Sequence, residues 1–316
     1  MFVLQHISPL DPVKAQMGAQ SSASAVAARR EALGLNDPIV TQFWHYLTGG
    51  AVQGDLGTSY RTRHPPVASD LGSFFPATLE LAIYGIGIAL ILAVLLAFST
   101  TLKWRGSAVL RGGVLFTGAS APMFLLGILG LIVFYQKLGW VPANGRIGIS
   151  NPPTGPTGLL TVDGLISGRF DVVADALHHL ILPALVLALG PAVAIGRVLR
   201  SSLLTDMDSD YARTARAKKG LSESRIVAGH VLRNCVGSAL SMTGLQVGLM
   251  FAGVLVIEQV FGWPGIGQYI AQSIPVADFP AIAGVTLMLG ALYVFINTVV
   301  DLLQAAADPR IAVTGG

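Results

Sequence analysis

Residues 206 to 234, DMDSDYARTARAKKGLSESRIVAGHVLRN, gather ionisable side chains in a chain where they are otherwise scarce. Leu204, Met207, Tyr211 and Ala215 recur at spacings of three and four, which predicts a helix over 204 to 219 with one apolar stripe. Arg213, Arg216 and Lys219 fall on another face. Asp206, Asp208 and Asp210 precede the bases, the sense that suits a helix dipole. Gly220 then supplies a C-terminal stop, and Ser222 with Glu223 a new start, so two helices joined by a tight turn are expected. The chemistry is recognition rather than bond making. A short amphipathic helix lies in a partner's groove, its apolar face giving affinity and its charges orientation, and its stiffness passes the partner's motion to whatever it is attached to. A merely solvated basic loop would need no apolar stripe.

Other reactive residue types form no catalytic pattern. The single cysteine, Cys235, rules out an intrachain disulfide and reads as a small residue near a helix end. His178 and His179 are either solute contacts at a mouth or a pair lying at a membrane interface. The glycines of GWPGIG at 262 to 267 do not match a nucleotide fingerprint and read as a Pro/Gly turn in an external loop. The sequence contains no GxxxxGK[ST], HExxH or GxSxG, so no P-loop for ATP, no metal and no cofactor are assigned to the chain itself.

The elements that position the charged hairpin follow from composition. With 53% hydrophobic residues, 12% charged residues and a mean hydropathy of +0.65, the 316-residue chain lacks the charge to cover a soluble surface. It reads as an all-α polytopic membrane protein. Leu81 to Leu102, Gly112 to Gln136, Leu180 to Gly196, Val236 to Ile257 and Phe279 to Val300 are free of Asp, Glu, Lys and Arg. Each approaches the roughly 20 residues that cross a bilayer core of about 30 Å. The third is short, so its helix is expected to begin near Ala176, with His178 and His179 in its first turns. Pro122, Pro183 and Pro191 predict kinks rather than breaks.

Lys103, Arg105 and Arg111 stand without an acid in one connection, and Arg197 to Cys235 carries eight bases against four acids. The opposite connections are balanced or acidic, with Glu258 and Asp278 unaccompanied by a base. The positive-inside rule therefore places these basic loops and the C-terminus in the cytoplasm, and residues 1 to 80, 137 to 179 and 258 to 278 outside. A polar N-terminal tail of roughly 75 residues is seldom exported unaided, so a first span upstream of Met1 is expected, the alternative being a five-span chain. The predicted division is an outer segment 1 to 76, a membrane-spanning domain 77 to 301 containing the loop 197 to 235, and an inner tail 302 to 316.

The hairpin resembles the cytoplasmic loop of ATP-binding-cassette importer permeases, specifically the B-type subunit of the dipeptide, oligopeptide and nickel class. LGLNDP at 33, GDLGTSY at 54, FPATLELA at 75, FGWPGIGQYI at 261 and VDLLQAAADPRI at 300 agree with that class in order. The resemblance implies half of a translocation channel in the bacterial cytoplasmic membrane. Implied partners are a second permease subunit, two cytoplasmic ATPase subunits that bind ATP and Mg, and an extracytoplasmic substrate-binding protein. It carries an ATPase-coupling role onto Asp210, Tyr211, Arg213, Thr214, Ala215, Arg216, Ala217, Gly220, His230, Arg233 and Asn234. Lys218 and Lys219 stand where the class shows one lysine, an insertion that would turn a helix by about 100° unless absorbed at the turn. Thr205 replaces a usual glutamate, and ISPLDP the usual APGDP.

Gln246 and Asn297, the polar residues deepest in the last two spans, are candidates for a polar path or for interhelical hydrogen bonds. Gly244 and Gly248 form a GxxxG suited to close helix approach, within the chain or between subunits. An ion-coupled carrier would place ionisable residues in its spans, and the five apolar stretches hold none. An intramembrane enzyme would need a nucleophile and base at membrane depth, and an RNA-binding anchor aromatic stacking residues beside the basic hairpin. A non-catalytic permease subunit importing peptides by alternating access is the expected function, with nickel, glutathione or another small solute as alternative cargo.

Overall fold

A computed structural model describes residues 12–17, 21–32, 34–46, 48, 56–60, 66–101, 121–210 and 232–307. Three short helices, α1 (Pro12–Met17), α2 (Ala23–Ala32) and α3 (Ile39–Tyr46), precede a bundle. The bundle comprises α4 (Val67–Thr101), α5 (Met123–Gly130, continued by π-helical Leu131–Lys137), α6 (Leu160–Ile166), α7 (Phe170–Met207), α8 (Leu232–Val260), α9 (Ile266–Ser273) and α10 (Phe279–Ala307). Among the described residues the only β pairing is an isolated bridge between Thr58 and Pro66.

Four helices are long and apolar enough to cross a bilayer: Val67–Ser99, Phe170–Met207, Gly237–Val260 and Phe279–Ala306. Met123–Lys137 is a shorter apolar helix, and the first part of the predicted second span lies outside the described residues. At about 1.5 Å per residue, the 33 residues of the first span and 38 of the second measure about 50 and 57 Å. Both exceed a hydrocarbon core of about 30 Å, so each projects beyond it.

Charge-free stretches therefore underestimate the helices. Residue 76, the predicted domain boundary, is a proline inside α4, and α10 continues through Asp301, past the boundary at 301. The third apolar stretch begins not near Ala176 but at Phe170, after Gly168 at φ +69°. His178 and His179 consequently sit six residues deeper in the helix than expected, with Asp171 paired to the exposed Arg169 beside it and Asp175 accepting the Gly148 amide. Pro183 and Pro191 are buried inside an unbroken α7.

Small residues bring α4 and α7 together. Ala89, Ala188 and Ala192 are fully buried between them, and a Cβ on Gly196 would lie 3.3 Å from the Ala93 backbone. Gly85 meets Leu187, Ala93 meets Gly196 and Ala97 clusters with Leu199. Both numbers rise together along the pair, so the helices run in the same direction, as an intervening crossing requires. α8 and α10 antiparallel one another: Ser241 bonds Gln304, Gly244 abuts Val300 and Gly248 abuts Tyr293. The GxxxG of α8 thus serves close packing within the chain, against α10. The central core joins Leu81, Leu180, Leu187, Met250, Val254, Ile257 and Trp263.

Candidate functional site

At the end assigned to the cytoplasm, the last turn of α7 and first turn of α8 are clamped side by side. The Cys235 thiol reaches Asp206 Oδ2 at 3.4 Å, and Ser202 Oγ lies 2.8 Å from Ser238 Oγ. Beneath them Ala97, Leu199, Leu203 and Cys235 form a buried cluster flanked by Met207. Whatever the path of the intervening chain, it leaves and re-enters the bundle at adjacent points, which is the stem geometry a projecting hairpin needs.

One detail of the predicted hairpin is corrected. Leu204 and Met207 belong to the end of α7, which stops at Met207 with Asp208 as its C-cap. Ser209 Oγ bonds the Asp206 carbonyl, and Ser209 N donates to the same oxygen, so the turn is capped locally and does not continue as one helix. Asp210 is exposed just beyond it. Tyr211, Arg213, Thr214, Ala215, Arg216, Ala217, Gly220 and His230 lie outside the described residues, and Arg233 and Asn234 are in the first turn of α8.

The opposite end is a polar collar built from three of the sequence blocks. Within FPATLELA, the Ala77 carbonyl accepts the Trp263 indole N–H at 2.9 Å. Thr78 Oγ1 donates to Glu258 Oε1 at 2.5 Å and accepts the Ile266 N–H at 2.8 Å. Glu80, 1% exposed, receives Arg146 on Oε2, at 2.6 Å from Nη2 and 2.9 Å from Nε. Its Oε1 takes the Thr161 hydroxyl and amide, at 2.6 and 2.8 Å. Arg146 also donates to the Gly158 carbonyl at 2.7 Å. A single turn of α4 therefore fastens the 138–166 segment on one side and the 261–274 segment on the other.

Glu258 is fully buried, and the GWPGIG block wraps around it. The Gly267 amide donates to Oε2 at 2.5 Å, placing the carboxylate at the N-terminus of α9, where the helix dipole favours negative charge. A Cβ on Gly265 would stand 2.1 Å from Glu258 Oε1, so only glycine admits the side chain there. Asp278, also buried, accepts from the Ser59 hydroxyl and from Ala281 N at 3.2 Å, joining GDLGTSY to the start of α10. Burial, reinforced by the Asp278 charge, pushes the neighbouring Tyr60 phenol up to about 12. The unaccompanied acids Glu258 and Asp278 signalled something in the sequence, and their amide partners Gly267 and Ala281 are near in the chain, but their hydroxyl partners Thr78 and Ser59 come from distant blocks that no local spacing connects.

His178 and His179 do not converge on a solute. His178 Nε2 lies 2.7 Å from the Trp140 carbonyl, while His179 Nδ1 lies 2.9 Å from the Asp175 carbonyl and Asp175 accepts the Gly148 amide. His178 and Asp175 brace the 138–148 stretch against α7, while His179 bonds within its own helix. Among the described residues no group of three metal-ligating side chains gathers. Asn297 bonds not across helices but to the Tyr293 carbonyl of its own helix, at 3.0 Å. Gln246 is part-buried on the side of α8 roughly opposite the Ser241, Gly244 and Gly248 face that meets α10, so the two candidate path residues are not brought together.

Comparison with known proteins agrees with this architecture. Residues 85–313 match the family "Binding-protein-dependent transport system inner membrane component", and residues 1–82 match its N-terminal companion. The dipeptide transport system permease protein DppB of Alkalihalophilus pseudofirmus is 37% identical over 98% of this chain and 92% of its own length. The probable D,D-dipeptide transport system permease protein DdpB of Escherichia coli K12 is 39% identical over 100% of this chain and 92% of its own. A glutathione transport system permease protein, GsiC of Salmonella choleraesuis, is 36% identical over 98% and 92%. Helix ends held side by side at Asp206 and Cys235, a fastened collar at the other end and full-length likeness converge, and the chain belongs to the inner-membrane permease components of binding-protein-dependent transport systems.

Proposed function

We propose that this chain forms half of the translocation pathway of an ATP-driven importer of di- or oligopeptides. A second permease subunit completes the pathway, two cytoplasmic ATPase subunits bind and hydrolyse ATP with Mg, and an extracytoplasmic binding protein delivers the peptide. The observation that carries the reading is the side-by-side stem at Asp206 and Cys235, which roots a loop of six bases on the bundle's inner end. The coupling residues of the loop, Asp210, Tyr211, Arg213 to Ala217, Gly220, His230, Arg233 and Asn234, engage the ATPase pair, whose closure tilts α7 and α8 together through the clamp. Because a nucleotide shifts a conformational balance only through differential contacts, the loop must bind differently in the inward-open and outward-open states.

In proteoliposomes containing the whole complex and its binding protein, Arg216→Glu and Gly220→Pro should each lower uptake at least tenfold while ATP hydrolysis persists. Wild-type uptake in both variants would refute the loop as transmitter. Names of relatives divide between dipeptides and glutathione, itself a tripeptide, so the same vesicles serve to test cargo. Labelled dialanine should enter and be competed by other dipeptides. Uptake of glutathione alone would favour the second reading.

A further inference from the structure

α10 carries a continuous polar face that the coupling scheme does not use. At about 100° per residue, Thr286, Gly290, Tyr293, Asn297, Asp301 and Gln304 fall within an arc of roughly 80°, and no aliphatic side chain interrupts it between 286 and 304. Phe295 and Leu302, both 65% exposed, and Val299 occupy the opposite side as an apolar surface fit for lipid. Tyr293 is half exposed although its ring lies over Gly248; Thr286, Gly290 and Asp301 are exposed, and among the described residues none comes within 4 Å of a Cβ placed on Gly290.

The face also lies at bilayer depth. Gln304 bonds Ser241 and Val300 abuts Gly244, so Asp301 is level with residues 241 to 244 of the span Gly237–Val260. That is about 6 to 10 Å in from the span's inner end at 1.5 Å per residue. The apolar stretch predicted from sequence ended one residue short of this acid. Hydrocarbon would penalise such a face, and ionisable residues at membrane depth face an aqueous cavity or a solute route.

We propose that this face of α10 lines a hydrated translocation path, and that Asp301 receives the cationic amino group of a passing peptide. The cargo assignment rests on the peptide-import reading above; the hydrated path does not. Thr286 and Asn297 each donate one bond to their own helix and Gln304 accepts one from Ser241; their remaining capacity, with the Tyr293 hydroxyl, matches a solute rich in peptide groups, and the face holds one acid and no base, complementing an ammonium.

Single cysteines at Tyr293, Asn297, Phe295 and Leu302 test the path in the assembled complex in proteoliposomes, using a charged methanethiosulfonate. The wild-type chain, with its one buried cysteine, sets the baseline. The first two thiols should react at least tenfold faster than the last two, at rates that change when the ATPase is trapped with vanadate. Equal rates would overturn the path, as would protection of the polar-face thiols by oxidative cross-linking to the second permease subunit. Asp301→Asn should lower dipeptide uptake about tenfold and Asp301→Glu should restore most of it; unchanged uptake in Asp301→Asn would overturn the role given to the acid. Labelled polar-face thiols without peptide uptake would sink the cargo reading and leave the path standing, whereas uptake with unreactive thiols would do the reverse.

Discussion

Replacing Glu80 by alanine is expected to destabilise the protein by about 3–5 kcal/mol, the cost of leaving a buried ionic partner without its counter-charge. The Arg146 side chain is 11% exposed and the Glu80 side chain 1% exposed, so water cannot take over the guanidinium's lost bonds. The same substitution strands the Thr161 hydroxyl and amide, which both bond Glu80 Oε1. Arg146 would still hold the Gly158 carbonyl, but that one bond does not anchor the 138–166 segment to α4. The measurement is the thermal midpoint of the purified permease in detergent, with proteolysis of the 138–166 segment as a local readout. Thr161→Val should cost far less, about 1.5–3 kcal/mol for one hydrogen bond to a charged group. Glu80→Leu combined with Arg146→Met should recover much of the loss, since removing both charges removes the desolvation problem. Equal, small effects of Glu80→Ala and Thr161→Val would show that the ion pair does not fasten the collar.

The contrast between the two ends of the molecule explains what was legible in the sequence. Helix existence followed from apolar length, because bilayer thickness acts on whole segments. Helix ends did not follow. A rule that stops a span at its first charge ends α4 at Leu81 and α10 at Val300, whereas Asp70, Glu80 and Asp301 are all inside the helices. Such charges are tolerated by tertiary partners or an aqueous face, neither of which is written locally. The collar was visible only as unexplained acids: pairing Glu258 with Thr78 and Glu80 with Arg146 requires the folded bundle. Likewise the GxxxG announced a close approach but not its partner, which proved to be Tyr293 and Val300. Leu204 and Met207 fitted the hairpin's apolar stripe by spacing, yet local capping by Ser209 assigns them to the preceding helix.

The second large effect is expected at Glu258, where leucine should be far more damaging than glutamine. A fully buried carboxylate without a base survives here because every donor around it is fixed by backbone. The Gly267 amide and the α9 N-terminus face one oxygen, and the Thr78 hydroxyl, itself held by the Ile266 amide, faces the other. Leucine has similar volume but accepts nothing, and each buried donor left unmet costs about 1–3 kcal/mol. With the Gly267 amide and Thr78 hydroxyl both stranded, Glu258→Leu should lose about 2–6 kcal/mol on that same scale. Glutamine can turn its carbonyl to Gly267 and its amide to the Thr78 oxygen, retaining both contacts once the hydroxyl proton reorients. Gly267→Ala probes the same packing from the other side. Its Cβ would stand 2.7 Å from Leu255 Cα and 2.8 Å from the Leu255 carbonyl, backbone atoms that cannot swing aside. Overpacking of this kind costs about 1–3 kcal/mol. Thermal midpoints of the three variants should therefore fall in the order glutamine, then alanine at 267, then leucine. A Glu258→Leu protein as stable as the glutamine variant would mean that apolar packing by Trp263 and Ile266 alone holds the 261–274 segment to α4.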